Sequence, residues 1–489
     1  MSTSEKYTFR FLVIVGTILM LRYFIWWILP QHIPHNFYYI HNPIVPLVNV
    51  ILFGVVTFIV FINLIIKLGN WIIIWRISKP IFHVPEKRKR VAFLTCFVPG
   101  DEPLDMLEKT LRAMKVVDYP HDNWVLDEGN DSAVKDLCKR LDIEYFSRNG
   151  ISKYNDSKGK FRAKTKAGNL NAWRSNHEYK YDYVAQIDMD HIPTREYLTR
   201  TLGYFVDPTV GFVGMPQIYN NKENWIAKGA AEQSYYFYGP IMKGLQGLGI
   251  PLLMGTSHVY RVEAMLHIDG YTASITEDHL TGLTFHANGW KSIYVDEILA
   301  EGNGPLTWVD YFNQQLRWSY GLFEILFTHS PKLFPKMDIK SRIVYSFLQL
   351  FYFSGVAMTL GIVLIIIYLA FGINPTNMKI SDWAYYGIPP FVIGELIMLF
   401  THRFRISPKT EPQYGAYGML LTQGANIIYC IAFIKFIFRK KLTYMVTKKN
   451  IDSMAKPVPL TTFTIHISLA LITVIAIVAS YYYNHNSLI

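Results

Sequence analysis

Two membrane-length apolar runs open this chain and four more close it, enclosing a stretch from about residue 80 to 310 that reads like a soluble protein. Hydrocarbon offers no partner to a backbone amide, so runs of this length can hardly fold as anything but helices. Residues 11–30 make about 20 residues, roughly 30 Å as a helix, which matches a bilayer core. Pro30-Gln31-His32 provides no small-residue cleavage site, and a second apolar run follows. The first run is therefore expected to remain as an anchor.

With 51% of its 489 residues hydrophobic and 15% aromatic, the chain is too apolar for one ordinary soluble domain. Its net charge of +11 would suit a nucleic-acid partner, but Lys and Arg gather beside the apolar runs, as cytoplasmic flanks of membrane helices do. No nucleic-acid partner is expected. Cys96, Cys138 and Cys430 lie far apart without C-x-x-C spacing, which points to isolated thiols rather than a zinc site or disulfide framework.

Charge bias gives the expected topology. Lys6 and Arg10 precede the first run, the loop 31–42 carries no Lys or Arg, and Arg76, Lys79 and Lys87-Arg88-Lys89-Arg90 follow the second run. The N-terminus and the soluble domain are thus expected in the cytoplasm. Runs near 344–371 and 383–402 form a second hairpin. A crossing by 417–438 would put the basic stretch 439–449 outside, so an interfacial helix is preferred there. The run at 461–482 then exits, giving five spans, with six as the alternative.

The middle of the chain reads as α/β. An apolar run at 89–98 leads into Pro99-Gly100-Asp101-Glu102-Pro103 and a helical pattern at Leu104, Leu107, Leu111 and Met114. Trp124-Val125-Leu126 runs into Asp127-Glu128-Gly129, another strand ends near Tyr145-Phe146, and 183–187 runs into Asp188-Met189-Asp190. Alternation of strand and helix implies a mainly parallel sheet with ligands at the strands' carboxyl ends, where both acidic clusters fall. A lone Asp there is usually a turn former or cap. Clustered carboxylates, however, stay ionised only with a cation or donors among them, and a D-x-D on an extended segment puts both side chains on one side.

Lys166-Ala167-Gly168-Asn169-Leu170-Asn171 precedes the D-x-D strand. It reads either as a solvated helix start or as a phosphate site, with Lys166 a point charge and Gly168 a close backbone approach. Near the returning membrane runs stand Thr276-Glu277-Asp278 and Gln314-Gln315-Leu316-Arg317-Trp318. Taken alone, Trp318 among Trp308, Tyr311, Phe312 and Phe323 reads as a core or interface anchor. Arg317 beside it adds a fork-shaped cation suited to phosphate oxygens, and an indole face suits the C–H face of a pyranose.

These motifs, with Tyr444-Met445-Val446-Thr447-Lys448-Lys449, occur in an order that resembles processive, inverting family 2 glycosyltransferases, and among them bacterial cellulose synthase catalytic subunits. The resemblance implies an α/β GT-A (Rossmann-like) domain inserted between α-helical transmembrane segments. It divides the chain into a transmembrane hairpin at 1–78, the cytoplasmic domain at 79–303, interface helices carrying Q-x-x-R-W at 304–340, and a membrane region at 341–489 with a gating loop at 440–455.

It also implies roles. Asp127, Glu128, Lys166, Asp188, Gln314 and Arg317 would bind a UDP-sugar. Asp188 and Asp190 would hold Mg2+ or Mn2+, and Asp278 would be the general base. Trp318 and Glu277 would meet the acceptor, a growing polysaccharide. Tyr444, Val446, Thr447 and Lys449 would form the gating loop, with Tyr where cellulose synthases have Phe. Glu128 stands where a second Asp is usual, and Leu252-Leu253-Met254-Gly255-Thr256-Ser257 where a Cys-Gly-Ser turn is usual. The implied protein is a multi-pass enzyme of the plasma membrane that adds glucose and extrudes the polymer, with the lipid bilayer and an accessory export subunit as partners. No cyclic-dinucleotide-binding domain is expected after the last run. Synthases of other β-glycans and non-processive transferases to a lipid carrier share most of these motifs and remain the alternatives.

Overall fold

A computed structural model describes residues 3–34, 44–407, 411, 415–440, 442 and 458–486. Ten strands and sixteen α-helices are assigned among them. The strands are β1 (Val91–Phe97), β2 (Asp122–Asp127), β3 (Glu144–Phe146), β4 (Tyr183–Asp188), β5 (Ile192–Pro193), β6 (Val210–Gly214), β7 (Ile218–Tyr219), β8 (His258–Arg261), β9 (Lys291–Tyr294) and β10 (Ala300–Gly302). The helices of the α/β part are α3 (Leu104–Lys115), α4 (Ser132–Leu141), α5 (Lys166–His177), α6 (Trp225–Tyr236), α7 (Met242–Leu248), α8 (Val262–His267) and α9 (Glu277–Ala287). They follow α1 (Thr3–Trp27) and α2 (Ile44–Ile74) and precede α10 (Trp308–Glu324), α11 (Ser330–Leu333), α12 (Ile339–Gln349), α13 (Phe353–Phe371), α14 (Ile380–Thr401), α15 (Ala416–Ile437) and α16 (Thr464–Asn486).

Seven strands form one sheet in the order β3-β2-β1-β4-β8-β6-β9. β1, β2, β3 and β4 run parallel, as the sequence implies, and β6 pairs with β9 in parallel. β8 enters antiparallel to both β4 and β6, so the sheet is mixed. A smaller sheet of β5, β10 and β7 stands apart from it. Core residues fill both faces: Leu107, Leu111 and Met114 of α3 with Leu137 of α4 on one, Leu170 and Trp173 of α5 with Phe285 of α9 on the other. Two covered faces are what near-continuous apolar strands such as β1 require.

Among the described residues, six helices are long and apolar enough to cross a membrane, counting Ala416–Ile437 among them. That helix, α15, packs along α6, α10 and α13. The apolar run near 344–371 is not one helix. Residues 350–352 form turns between α12 and α13, and α12 carries polar Lys340, Arg342 and Ser346 where a span would be apolar throughout.

Candidate active site

Strand register sets the frame of the site. In the two parallel pairings of β1, Phe97 is opposite Asp127 and Cys96 opposite Asp188, so two acidic strand ends flank β1 on one edge of the sheet. With strands about 4.8 Å apart, they lie roughly 10 Å from each other.

Their environments differ. Asp127 is fully buried. Its Oδ1 accepts from the Gly129 amide at 2.8 Å, and its Oδ2 from the Asp131 amide at 2.6 Å and the Tyr145 hydroxyl at 2.7 Å. The carboxylate thus closes its own loop, the turn-forming role that a single Asp after a strand usually has. Glu128 makes a two-pronged ion pair with Arg148, at 2.9 and 2.7 Å. Arg148, fully buried, also donates to the carbonyls of Tyr154, Arg162 and Thr165. This cation fastens the loop after β2 to the segment that leads into α5. It went unnoticed in the sequence because a single Arg in Ser147-Arg148-Asn149-Gly150 looks like any turn residue.

Thr165 caps α5, its Oγ1 accepting from the Gly168 amide at 3.1 Å, and so fixes Lys166 in the first turn. Gly168 is indeed a point of close approach, but the neighbours are the Arg162 carbonyl and the Arg148 guanidinium, not open space for a ligand. Asn169 donates to the Leu126 carbonyl at 3.1 Å and Asn171 to that of Tyr271 at 2.9 Å, tying α5 to β2 and to the loop after α8. Lys166 turns instead to the strand edge, where its Nζ donates to Asp188 Oδ1 and to the Gly255 carbonyl, each at 2.5 Å.

The D-x-D does not continue as an extended segment. β4 ends at Asp188, and the His191 amide donates to the Asp188 carbonyl at 3.0 Å, closing a turn. The turn still gathers Asp188, Asp190 and His191, whose ligand atoms all lie within 4.8 Å of one another. Asp190 and His191 are buried, and Asp188 is partly exposed. His191 Nδ1 lies 3.2 Å from Asp190 Oδ1, while its buried Nε2 has no hydrogen-bond partner. The ring is wedged against Gly302, where any side chain would collide with it. Two carboxylates and an imidazole with a spare nitrogen form a donor set able to hold a divalent metal such as Mn2+ or Mg2+.

The segment after α7 joins these groups to the third acidic cluster. The Thr256 hydroxyl accepts from the Asp188 amide at 2.9 Å. The Gly255 carbonyl receives Lys166 and, at 3.2 Å, Gln186 Nε2. The Gly255 backbone also lies beside Asp278 and favours its charged form. A Cβ at position 255 would stand 3.1 Å from Asp278 Oδ2, close enough that the carboxylate would have to shift by a few tenths of an ångström.

Glu277 and Asp278 begin α9, and Asp278 Oδ1 also accepts from the His279 amide at 2.8 Å. Burial, then the charge of Asp278, pushes the Glu277 carboxyl up to about 7. Burial raises Asp278 as well, against the pull of the His279 amide, of Lys166 and of the Gly255 backbone. Such a pair, poised near neutrality, can take up a proton from a hydroxyl.

Thr307 caps α10 by accepting from the Asp310 amide, and the helix then presents the Q-x-x-R-W residues. Gln314 and Arg317 are half-buried. Trp318 is 37% exposed, so it is no core residue. Gln315, by contrast, is buried and accepts from the Tyr429 hydroxyl at 2.8 Å, which fixes α10 to α15. Tyr444, Val446, Thr447 and Lys449 lie outside the described residues.

Comparison with known proteins agrees with this arrangement. Residues 183–399 match Glycosyl transferase family group 2. A cellulose synthase catalytic subunit (UDP-forming) of Pseudomonas fluorescens is 26% identical over 311 residues, 61% of this chain and 40% of that protein. The cellulose synthase 1 catalytic subunit (UDP-forming) of Komagataeibacter xylinus is 26% identical over 53% of this chain and 34% of that protein. The chain therefore spans about 40% of the length of the first of these curated relatives. A mannosyltransferase from Pyrobaculum calidifontis, solved with GDP-Man and Mn2+, superposes with a TM-score of 0.51 at 14% identity, over 79% of this chain and 100% of that one, which shows the GT-A fold. Between helices of membrane length, then, lies a domain of GT-A fold, and residues 183–399 match the family 2 glycosyltransferases.

Proposed function

We propose that the protein is a membrane-embedded, processive synthase that transfers a sugar from a UDP-sugar to the growing end of a β-linked polysaccharide with inversion. The observation that carries this reading is Gly255, whose carbonyl accepts from the cation of the donor side, Lys166, and whose Cα lies against the proposed base, Asp278. Donor and base are thereby fixed to one rigid unit, the preorganisation that displacement at a sugar carbon needs.

In this reading Lys166, Arg317 and Gln314 hold the diphosphate, and Asp127 and Glu128 shape the nucleotide loop. Asp278 takes the proton from the acceptor hydroxyl as it attacks the anomeric carbon on the face opposite the departing UDP. Burial keeps that carboxylate basic, and Trp318 offers its face to the terminal sugar. Asp188, Asp190 and His191 would hold Mg2+ or Mn2+. The metal, when bound, offsets charge on the leaving diphosphate. Tyr444, Val446, Thr447 and Lys449 would cover the nucleotide.

The polymer would leave along α10 past α15, which packs on it, and α13, which packs on α15, toward the far side of the bilayer. Charge bias supports a catalytic domain on the cytoplasmic side, and the plasma membrane is the proposed location. The basic residues after α15 favour its interfacial placement, with a sixth crossing as the alternative. Glucose is the proposed donor sugar, in keeping with relatives named cellulose synthase, and an accessory export subunit would complete the path.

The test is to give the purified protein in lipid vesicles individual UDP-sugars with Mg2+ or Mn2+, then size the products and digest them with linkage-specific glycanases. Long product from UDP-glucose, cut by a β-glucanase, is expected. A single sugar on a lipid carrier would overturn processivity, and polymer from another donor alone would overturn glucose.

A further inference from the structure

α10 contains a glycine, Gly321, in its interior, where glycine is a poorer helix former than alanine. The space around it explains the choice. A Cβ at 321 would run into the Thr276 Oγ1 and stand 2.6 Å from its Cγ2 and 3.0 Å from its Cβ. Thr276 is the residue that leads into α9, immediately before Glu277 and Asp278, yet its side chain does not cap that helix. Its buried hydroxyl has no hydrogen-bond partner and faces α10. One turn further on, Glu324 Oε2 accepts from the Ser274 hydroxyl at 3.3 Å. Positions 314, 317, 321 and 324 follow the three- and four-residue steps of a single helix face. The face that carries Gln314 and Arg317 is therefore the one laid against the 274–278 loop.

We propose that Gly321 is a positioning residue: its missing side chain sets how closely the helix bearing Gln314, Arg317 and Trp318 approaches the loop bearing Asp278. The inference rests on the glycosyltransferase reading above. Neither Gly321 nor Thr276 touches substrate in this account. They fix the distance between the groups that grip the donor and acceptor and the group that removes the proton, and a displacement of 1 Å is enough to slow a reaction that depends on alignment.

The experiment uses the full-length protein in lipid vesicles with UDP-glucose and Mn2+. Gly321→Ala is expected to lower kcat at least about tenfold while the donor KM changes less than about threefold, because alignment counts in the transition state more than in binding. Thr276→Ala in the same chain removes the two atoms in the way and is expected to restore most of kcat. Ser274→Ala, which frees Glu324, should lower kcat in the same sense by a smaller factor. An unchanged kcat in Gly321→Ala overturns the inference. Should Gly321→Ala melt at a lower temperature, the double variant decides: stability and kcat recovered together support the proposal, and stability recovered without kcat overturns it. Failure of the unaltered protein to transfer any sugar would overturn the glycosyltransferase reading itself, a result distinct from all of these.

Discussion

Lys166 Nζ and Asp188 Oδ1 lie 2.5 Å apart at the open edge of the sheet, so the cation proposed for the donor and the carboxylate proposed for its metal are already paired before either ligand arrives. Binding must exchange this contact for a diphosphate and a metal. Lys166→Ala removes the cation and leaves Asp188 without its partner, and the donor KM is expected to rise about tenfold or more. Lys166→Arg should not restore it, because the planar fork does not fit a seat shaped for a point charge between Asp188 and the Gly255 carbonyl. Initial rates across UDP-sugar concentration report both.

Asp278→Asn keeps the shape of the site and removes the base. Transfer should fall by about 10²–10⁴-fold. UDP binding, followed by calorimetry, should stay near that of the unaltered protein. Loss of both together would mean that Asp278 is needed to build the site and not to move a proton.

Acid should silence the enzyme at a higher pH than an ordinary carboxylate would allow. Glu277 is pushed up to about 7 and Asp278 is raised with it, so the pair takes up a proton as pH falls through neutrality. kcat/KM is expected to fall on that side. Glu277→Gln removes the neighbouring charge, and the acid limb should move to lower pH. Stability follows the same sign. The folded carboxyl titrates above its unfolded value of 4.5, so the folded state binds the proton more tightly, and stability is lost as pH rises through about 7. Glu277→Gln should therefore raise the melting temperature at pH 8 and leave it unchanged at pH 4.

Arg148→Ala should be among the most damaging single changes outside the reacting groups. It leaves Glu128 without a counter-charge and the Tyr154 carbonyl without its donor, and removes one of the donors to the Arg162 and Thr165 carbonyls. A loss of about 3 kcal/mol is expected for a broken buried pair. Thermal melting of the detergent-solubilised protein measures it. A partner change, Glu128→Gln with Arg148→Met, should lose less than Arg148→Ala alone.

Metal dependence tests the third acidic group. His191→Ala removes the neutral donor but keeps both carboxylates, so the Mn2+ concentration for half-maximal rate should rise about tenfold. Manganese binding read by electron paramagnetic resonance, without UDP-sugar, should weaken in parallel. An unaltered metal requirement would assign His191 to the packing of Gly302 alone.

Much of this arrangement was open to reading because it depends on local pattern. β1 announces itself as an apolar run that stops at Pro99-Gly100, β2 and β4 as runs that stop at acidic residues, and their parallel pairing follows from the helices between them. β8 was not legible: His258–Arg261 is four residues long, and its antiparallel place between β4 and β6 is decided by the sheet rather than by its own composition. Arg148 and Gly255 were hidden for a different reason. Their importance lies in partners 20 to 89 positions away, Glu128 and Lys166, and no local spacing records a contact at that range. The break at 350–352 was obscured because apolar residues continue through it. Asp127 shows the opposite case, where the ordinary reading of an Asp after a strand describes its hydrogen bonds well.

The hydrogen bond between Gln315 and Tyr429 carries a mechanical consequence. Gln315 is flanked by Gln314 and stands two residues before Arg317, so whatever tilts α15 also turns the groups proposed to grip the diphosphate. A helix lying at the bilayer surface, as α15 is proposed to, would answer to the tension of the lipid around it. Lipid forces would then reach the proposed reaction centre, and turnover is expected to differ between vesicles of different lipid composition.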